Sequence, residues 1–370
     1  MTSVKISLGE LVDKLSILEI KKHKINNQEK LSHVNREYDE LMKHVNLEEI
    51  PMYGKLIHIN SIIWNVEDAL HQKEIDKTFD DEFVKLARLA YSTNDIRFEL
   101  KNEINKSSEL KEQKGYNESS RVLKPELLLI THQGIGDIMI SNGLIRHYSE
   151  NYRVILGTKP EYLKNVQFMF RDIHDIRVFT APNDEILRYL ARTQFNNISS
   201  IGLGYFRGPH FGADDLSDEN FCKSFYIDAN VNFAYMYSKF FVLRDFQREK
   251  SLYDEVVKYL KTDKYIVIHD DPSRGIHIDE SLVDCPPGVA KLYIGKDRCP
   301  VQGDTLFDYR MVLEKCVAFH GFNSNFPFII DLWNIPVKTK VLHIYPRHTD
   351  KEFATKYHKA GWLSIDKPTR

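Results

Sequence analysis

The spacing of apolar residues changes near Pro125, and this change constrains the fold of the 370-residue chain more than any other feature. Before it, apolar residues recur at helical spacing, as at Leu8, Leu11, Leu15 and Leu18. After it, short apolar runs alternate with helical patterns, which indicates parallel strands joined by helices. The sequence therefore predicts an all-α part followed by an α/β part.

The N-terminal part, residues 1–115, is expected to form a bundle of helices, because each helical segment carries one apolar stripe. Residues 116–125 are polar and rich in Ser, Lys and Glu, which is typical of a linker. Apolar residues left over on the bundle favour a homo-oligomer or the binding of a partner enzyme.

The C-terminal part predicts two Rossmann-like lobes. The first covers residues 126–248 and ends in an aromatic connecting region, and the second covers residues 249–370. Strands are expected at 126–131, 153–157, 176–179, 265–269, 292–294, 317–320 and 341–344. Helices are expected at 137–148, 160–170, 252–260, 306–315, 325–333 and 351–359. Such a pair of doubly wound lobes would face each other across a cleft. The aromatic residues between 200 and 248 indicate either a packed connection or an acceptor-binding surface.

Composition excludes several classes of protein. Lysine and arginine number 51 against 53 acidic residues, so the charge gives no reason to expect nucleic acid as a partner. The four cysteines are scattered without metal-ligand spacing, and no histidine motif indicates a metal site, so no metal cofactor is expected. No signal-peptide pattern and no run of eighteen apolar residues is present, which predicts a cytoplasmic protein without a membrane span.

The first chemistry-bearing stretch is HQGIGD, residues 132–137, between a predicted strand and a predicted helix. Gly134 and Gly136 indicate either a tight bend or a close approach of a ligand to a helix N-terminus, with His132 and Gln133 beside them. Asp137 is either a carboxylate that stabilises the helix start or a general base. The Gly-x-Gly-Asp spacing argues against a nicotinamide dinucleotide site.

The second stretch is YIVIHDDPSRG, residues 265–275, in which a buried strand ends at polar residues. His269 and Asp271 lie at the strand end, and Ser273 and Arg274 follow a proline. This segment is either an ordinary turn with a salt bridge or a phosphate contact, because the Arg274 guanidinium suits a diphosphate.

The third stretch is VAFHGFNSNFPFIIDLW, residues 317–333, where a strand ends at His320. Asn323, Ser324 and Asn325 then open an apolar helix. Asn and Ser are favoured at a helix start whatever the function. The same helix N-terminus, if it is aimed into a cleft, would hold nucleotide phosphates without a metal ion.

Residues 125–370 resemble the GT-B glycosyltransferases, and among them the bacterial heptosyltransferase-type enzymes. The stretches HQGIGDIMISNGLIR and HGFNSNFPFIIDLW carry the resemblance. It implies a metal-independent, inverting transfer with Asp137 as the base and the second lobe on the nucleotide-sugar side. It also implies that Ser273, Arg274, Asn323, Ser324 and Asn325 lie near the donor phosphates. Those transferases usually have Asp-Thr-Gly where this chain has Asn323, Ser324 and Asn325.

Residues 1–115 resemble a separate bacterial family of uncharacterised helical proteins. The stretches SLGELVDKLSILEIK, IWNVEDAL and FVKLARLAYSTNDIRFELKNEIN carry this resemblance. It implies nothing about chemistry, although such proteins are often associated with polysaccharide assembly.

The leading hypothesis is a glycosyltransferase that moves a sugar from a nucleotide-diphosphate donor to a glycan or another hydroxyl acceptor. Asp137 is its expected catalytic residue. The expected substrate-binding residues are His132, Gln133, Gly134, Gly136, His269, Asp271, Ser273, Arg274, His320, Asn323, Ser324 and Asn325. Two alternatives stay open: a non-catalytic scaffold or glycan-binding protein, and a nucleotide-sugar epimerase that uses Asp137, His269 and His320.

Overall fold

The computed structural model describes residues 5–107, 124–204, 221–271, 275–295, 298–345 and 358–366. Two compact units are present: Met1–Val122 with Leu243–Gln247, and Leu123–Val242 with Arg248–Arg370. Several predicted features lie outside the described residues. These are most of the linker at 116–125, residues 351–357 of the last predicted helix, and the site residues Ser273 and Arg274.

The first unit contains the predicted helices, which are α1 (Leu8–Lys24), α2 (Gln28–Met42), α3 (Tyr53–Ile75) and α4 (Asp81–Ile104). The side chains of Ser7, Asn27 and Asp80 cap three of them by accepting a backbone N–H from the first turn. Helix α1 packs against the other three helices. Val12, Leu56 and Ile104 form an apolar core between them, as the stripes predict.

A buried polar group lies within the same bundle. The Nε–H of Arg97 donates to Asp13 Oδ1 at 2.9 Å, and Asn60 Nδ2 donates to the same oxygen at 2.8 Å. Asn60 also donates to Ser16 Oγ at 2.7 Å. Because both acceptor oxygens of Asp13 are bonded, the buried carboxylate is matched by donors and ties α1 to α3 and α4.

Residues 243–247 belong to the first unit although they are remote in sequence. Lys24 Nζ lies 3.7 Å from Asp245 Oδ1 and donates to Asn65 Oδ1 at 3.0 Å. Gln247 Nε2 donates to the carbonyl oxygen of Lys24 at 3.4 Å. These bonds attach the segment to the end of α1.

The second unit contains two parallel sheets. The first sheet has the order β3-β2-β1-β4, from β1 (Glu126–Ile130), β2 (Arg153–Thr158), β3 (Ile176–Thr180) and β4 (Ser199–Gly202). Its helices are α5 (Ile135–Ile140), α6 (Asn142–Ser149), α7 (Leu163–Met169) and α8 (Asp184–Thr193). Leu127 to Leu129 are fully covered, which explains why the β1 pattern is a continuous apolar run.

Helices α9 (Phe221–Asp228), α10 (Tyr235–Ser238) and α11 (Phe246–Leu260) lead to the second sheet. That sheet has the order β6-β5-β7-β8-β9, from β5 (Tyr265–His269), β6 (Ala290–Ile294), β7 (Ala318–Gly321), β8 (Thr339–Ile344) and β9 (Trp362–Asp366). All of its neighbouring strands pair in parallel. Helices α12 (Arg310–Lys315) and α13 (Asn325–Leu332) flank β7 in the chain. The α/β prediction with parallel sheets is therefore confirmed.

One predicted helix, 137–148, is two helices that meet at Ser141. The Asn142 side chain accepts from the Phe241 backbone N–H at 3.1 Å and donates to its carbonyl at 3.2 Å. The Tyr226 hydroxyl donates to the Ile140 carbonyl at 2.8 Å. These tertiary bonds satisfy backbone and side-chain groups at the junction, and a helical repeat in the sequence does not reveal them.

Candidate functional site

The turn after β1 places Asp137 in the first turn of α5, at the carboxyl edge of the first sheet. Gly134 is the residue before α5, in an extended conformation, and Asp137 Oδ2 folds back over it so closely that a β carbon on Gly134 would collide with the carboxylate. Gly134 is therefore required for the position of the acid as well as for the bend. The contact with Asp137 accounts for Gly134, so a close approach of a ligand is not needed to explain this glycine.

The Asp137 carboxyl group is half-buried, and its pKa is raised. Burial raises its pKa to about 6, and the charge of Asp184 adds to this rise. Coulombic interactions with His132 and Lys159 oppose the rise. A carboxyl with a pKa near 6 is ionised at neutral pH and is still basic enough to accept a proton, which is the property of a general base.

A hydrogen-bonded group next to Asp137 fixes the preceding residues. His132 Nδ1 lies 2.9 Å from Asp184 Oδ2, and the Gln133 backbone N–H donates to Asp184 Oδ1 at 3.4 Å. Gln133 Nε2 donates to the Ala181 carbonyl at 3.0 Å. Burial alone would raise the pKa of Asp184, but the hydrogen bond and charge of His132 outweigh it and lower that pKa. The first residue of α8 thus holds the loop that carries Asp137.

Helix α5 touches the first turn of α13 through Gly136. A β carbon on Gly136 would lie 3.0 Å from Asn325 Oδ1. Asn325 is the first residue of α13, and its neighbour Phe326 lines a cavity. Two residues that the sequence marks as site residues, from loops almost two hundred positions apart, are therefore adjacent.

The cavity has a volume of about 190 Å³. It is lined by Asn165, Gly295, Cys299, Gln302, Gly303, Asp304, Thr305, Leu306, Tyr309 and Phe326. Asn165 Oδ1 accepts the Leu306 backbone N–H at 2.8 Å, and Lys164 Nζ pairs with Asp304 at 2.8 Å. These bonds join α7 to the loop after β6 and close one side of the cavity.

The loop after β5 forms a second polar group. Asp270 Oδ1 accepts the Ile278 backbone N–H at 2.8 Å, while its Oδ2 accepts Arg298 Nε at 2.7 Å and lies 3.1 Å from His277 Nδ1. Asp271 exchanges two backbone hydrogen bonds of 3.0 Å with Ile276. Arg298 is partly exposed and brings a positive charge to Asp270.

The two histidines of the epimerase hypothesis, His269 and His320, bond to residues other than Asp137. His269 has Nδ1 3.2 Å from the Ile294 carbonyl, and its ring meets Phe326 edge to face at 4.7 Å. Burial lowers its pKa to about 4, so it is neutral at pH 7. His320 Nδ1 lies 3.1 Å from His343 Nε2, on the opposite face of the second sheet from His269. His269 therefore packs against Phe326, which lines the cavity. His320 instead contacts His343 on the other face of the second sheet.

The start of α13 has no side-chain cap among the described contacts. Ser324 precedes the helix, but within the described residues its side chain makes no cap, and its Oγ donates to the Phe322 carbonyl at 3.2 Å instead. Helix geometry leaves the first N–H groups of α13 without intrahelical acceptors. Pro327 has no N–H, so the donors in question belong to Asn325 and Phe326.

The structure thus groups Gly134, Gly136, Asp137, His132, Gln133 and Asn325 at one place, whereas His320 contacts His343 within the second sheet. Sequence reasoning missed three contributors: Lys159, Asp184 and Arg298. Lys159 and Asp184 closely follow β2 and β3, so the same rule that marks strand ends could have found them. For Arg298, 28 positions from Asp270, no local pattern gives a signal.

Within the described ranges, no three His, Cys, Asp or Glu side chains are grouped so that they could hold a metal ion. In the same part of the chain, no helix is both long and apolar enough to span a bilayer.

Comparison with known proteins gives one family match. Residues 2–127 match a family of unknown function, DUF6165. This agrees with the resemblance of the helical part to an uncharacterised family, and it assigns no activity. No curated protein matches the chain.

Three solved structures are similar to the chain at low identity. A glycosyl transferase family 9 from Veillonella parvula is 9% identical, with a TM-score of 0.41 over 66% of this chain and 87% of that one. The E. coli ADP-heptose lps heptosyltransferase II is 11% identical, with a TM-score of 0.38 over 65% and 90%. The bacterial iron-containing dodecameric glycosyltransferase TibC from enterotoxigenic E. coli is 12% identical, with a TM-score of 0.31 over 60% and 58%. Likeness of this size assigns neither a donor nor an acceptor to this chain.

Proposed function

We propose that the protein is a glycosyltransferase of GT-B type that transfers a sugar from a nucleotide-diphosphate donor to a hydroxyl acceptor, without a metal ion. Its two sheets would belong to two facing lobes, with the acceptor at the first and the donor at the second. One observation carries the proposal: the helix that bears Asp137 touches the first turn of α13 through Gly136 and Asn325. A base and an anion-binding helix start are the two parts that such a transfer needs.

In the proposed reaction, the acceptor oxygen attacks the anomeric carbon of the donor sugar while Asp137 takes the hydroxyl proton. The bond between that carbon and the diphosphate oxygen breaks, and its electron pair leaves with the nucleoside diphosphate. Single displacement inverts the anomeric configuration. The raised pKa of Asp137, about 6, suits this role because the group is ionised but basic at neutral pH.

The departing diphosphate gains negative charge as the bond breaks. In this proposal the N–H groups of Asn325 and Phe326 receive that charge at the start of α13, where the helix dipole is positive. Ser273, Arg274 and Arg298 would add donors from the neighbouring loops. The cavity of about 190 Å³ that Phe326 lines would take another part of the donor.

The epimerase alternative requires His269 and His320 to flank the sugar together with Asp137. His269 is directed to the Ile294 carbonyl and His320 to His343, and burial lowers the pKa of both. These contacts favour the transferase. The scaffold alternative is distinguished by experiment, since it predicts nucleotide binding without turnover.

The N-terminal bundle is proposed to bind a second copy of the chain or a partner enzyme. Four large apolar side chains are exposed on α3, α4 and the turn between them: Ile75, Phe79, Val84 and Tyr91. Burial of such apolar surface against a partner is favourable.

The test is a product-release screen with UDP-, GDP-, ADP- and CMP-sugars, together with calorimetric binding of the nucleotides. Asp137→Asn keeps the shape of the side chain but removes its basicity, so transfer should be lost while nucleotide affinity stays near that of the wild type. Equal activity in this variant would remove Asp137 from the mechanism. A wild-type protein that neither binds nor hydrolyses any of these donors would refute the proposed function.

A further inference from the structure

A chain of hydrogen bonds runs from the last turn of α13 to the loop before its first turn. Asp331 Oδ2 lies 2.8 Å from His358 Nδ1, and the other ring nitrogen of His358 lies 3.2 Å from Asn323 Oδ1. The side chains of His358 and Asp331 are almost fully buried, at 1% and 2% exposure. His358 comes from the segment just before β9, far from both partners in sequence.

The Asp331 carboxylate, which bonds to His358, is itself held by further hydrogen bonds. It also accepts Trp362 Nε1 at 3.0 Å and the Lys359 backbone N–H at 3.0 Å. Burial opposes its ionisation, but the hydrogen bonds from His358 and Trp362 outweigh that effect and lower the pKa of Asp331. A buried carboxylate with this many donors is ionised and fixed in place.

Aromatic rings hold the His358 imidazole from two sides. The Phe328 ring lies 4.9 Å from it and the Trp362 ring 5.2 Å. With one ring nitrogen anchored on Asp331, the direction of the other is determined, and it is aimed at Asn323.

Asn323 lies two residues before α13, in the loop whose backbone opens the helix. Because Ser324 bonds to Phe322 and does not cap α13, its side chain does not hold the loop to the helix start. The described side-chain bond from Asn323 leads to His358. A residue from the C-terminal segment is therefore bonded to the loop that precedes the helix start.

We propose that His358 is a positioning residue for the anion site at the start of α13, oriented by Asp331 and acting through Asn323. This inference rests on the proposed function, because it assumes that the start of α13 receives a diphosphate. It adds that the segment 358–362 orders the loop before α13. That segment makes no proposed contact to the ligand.

The test compares two ring substitutions. His358→Phe keeps a ring between Phe328 and Trp362 but removes both nitrogens, so it loses one donor to Asp331 and the bond to Asn323. Trp362→Phe is the matched control, because it also removes one donor to Asp331 and leaves the bond to Asn323 intact. Binding of inorganic pyrophosphate, UDP, GDP and ADP is measured by calorimetry on the full chain, and folding is followed by thermal unfolding.

We expect His358→Phe to bind these probes about tenfold more weakly, the effect of losing an ordering hydrogen bond of about 1.4 kcal/mol. Trp362→Phe should stay within about twofold of the wild type. Asn323→Ala should reproduce the loss, and the double variant His358→Phe/Asn323→Ala should bind no worse than either single variant.

Equal losses in His358→Phe and Trp362→Phe would overturn the inference, because the effect would then come from Asp331 and not from Asn323. Unchanged binding in His358→Phe would overturn it alone and leave the proposed function standing. Absence of binding by the wild-type protein would instead overturn the proposed function and this inference together.

Discussion

Asn325 Oδ1 lies 3.0 Å from the position that a β carbon on Gly136 would occupy. This distance is tighter than an ordinary van der Waals contact, so Gly136 permits the first turn of α13 to lie directly against α5. The contact joins the helix that carries the proposed base to the helix that carries the proposed anion site.

The first prediction concerns Gly136→Ala. An alanine gains about 0.5–1 kcal/mol of helix stability, which offsets the small displacement of the Asn325 side chain, so the free energy of unfolding should change little. Affinity for nucleoside diphosphates should fall because Asn325 is displaced. Gly54→Ala is the control, since a β carbon on Gly54 meets nothing within 4 Å. Unchanged affinity in Gly136→Ala would show that the contact does not position the site.

The second prediction concerns the pKa of Asp137. The interaction with His132 lowers this pKa, so His132→Ala should raise it above its value of about 6. The change can be followed by carbon-detected NMR titration of the Asp137 carboxyl group. His23→Ala is the control, because His23 lies on α1 with a largely exposed side chain. A fall in the pKa of Asp137 would contradict the assignment of His132 as its neighbour.

The third prediction concerns stability in acid. The folded pKa of His269 is about 4, below the value of about 6.5 for an unfolded histidine, so the unfolded chain takes up this proton first. Stability should therefore be lost as pH falls from about 6.5 to 4, by up to about 3 kcal/mol from this residue. Urea unfolding at pH 7 and pH 5 measures the slope.

Asp137 acts in the opposite direction in the same range. Its folded pKa is raised, so its ionisation costs stability as pH rises from about 4 to 6. Only a comparison of variants separates the two effects. His269→Gln should show a smaller loss between pH 7 and pH 5 than the wild type, whereas His23→Gln should show the same loss. Identical slopes for His269→Gln and the wild type would mean that His269 takes up protons readily in the folded state.

The fourth prediction concerns the loop that closes the cavity. Asn165→Ala removes the acceptor of the Leu306 backbone N–H, a bond of 2.8 Å. Hydrogen exchange at the Leu306 amide should become about fivefold faster, because a hydrogen bond of this kind contributes about 1 kcal/mol. Asn151→Ala, at an exposed turn after α6, should leave that exchange rate unchanged. Slow exchange in Asn165→Ala would mean that the loop is held by its other contacts, among them the pair of Lys164 and Asp304.

The strands that follow most directly from the sequence are those with a continuous apolar run. Every residue of β5 is buried, and its apolar run predicts a strand directly. Strands β4 and β9 lie at sheet edges and are half-exposed, so their mixed sequences contain no comparable run. The edge strands β3 and β6 are nevertheless predicted, because short apolar runs mark them, so it is the lack of such a run that hides β4 and β9.

The candidate site shows the same division. Gly134, Gly136 and Asp137 are readable because a strand, two glycines and a helix follow in order. Asp184 closely follows β3, so the strand-end rule could have marked it, whereas Arg298 and His358 reach their partners across 28 and 35 positions that no spacing rule links. The assignment of histidines also failed to follow from the sequence, since the burial of His269 and His320 depends on which face of a strand each occupies.

The helical unit is assembled from two separate parts of the chain. Residues 243–247 complete it, through Asp245 and Gln247 at the end of α1, but the family match stops at residue 127. A gene fragment that ends there would encode a protein in which Lys24 lacks these partners. An excised helical fragment of this protein would therefore need residues 243–247 fused to it in order to keep the contacts at the end of α1.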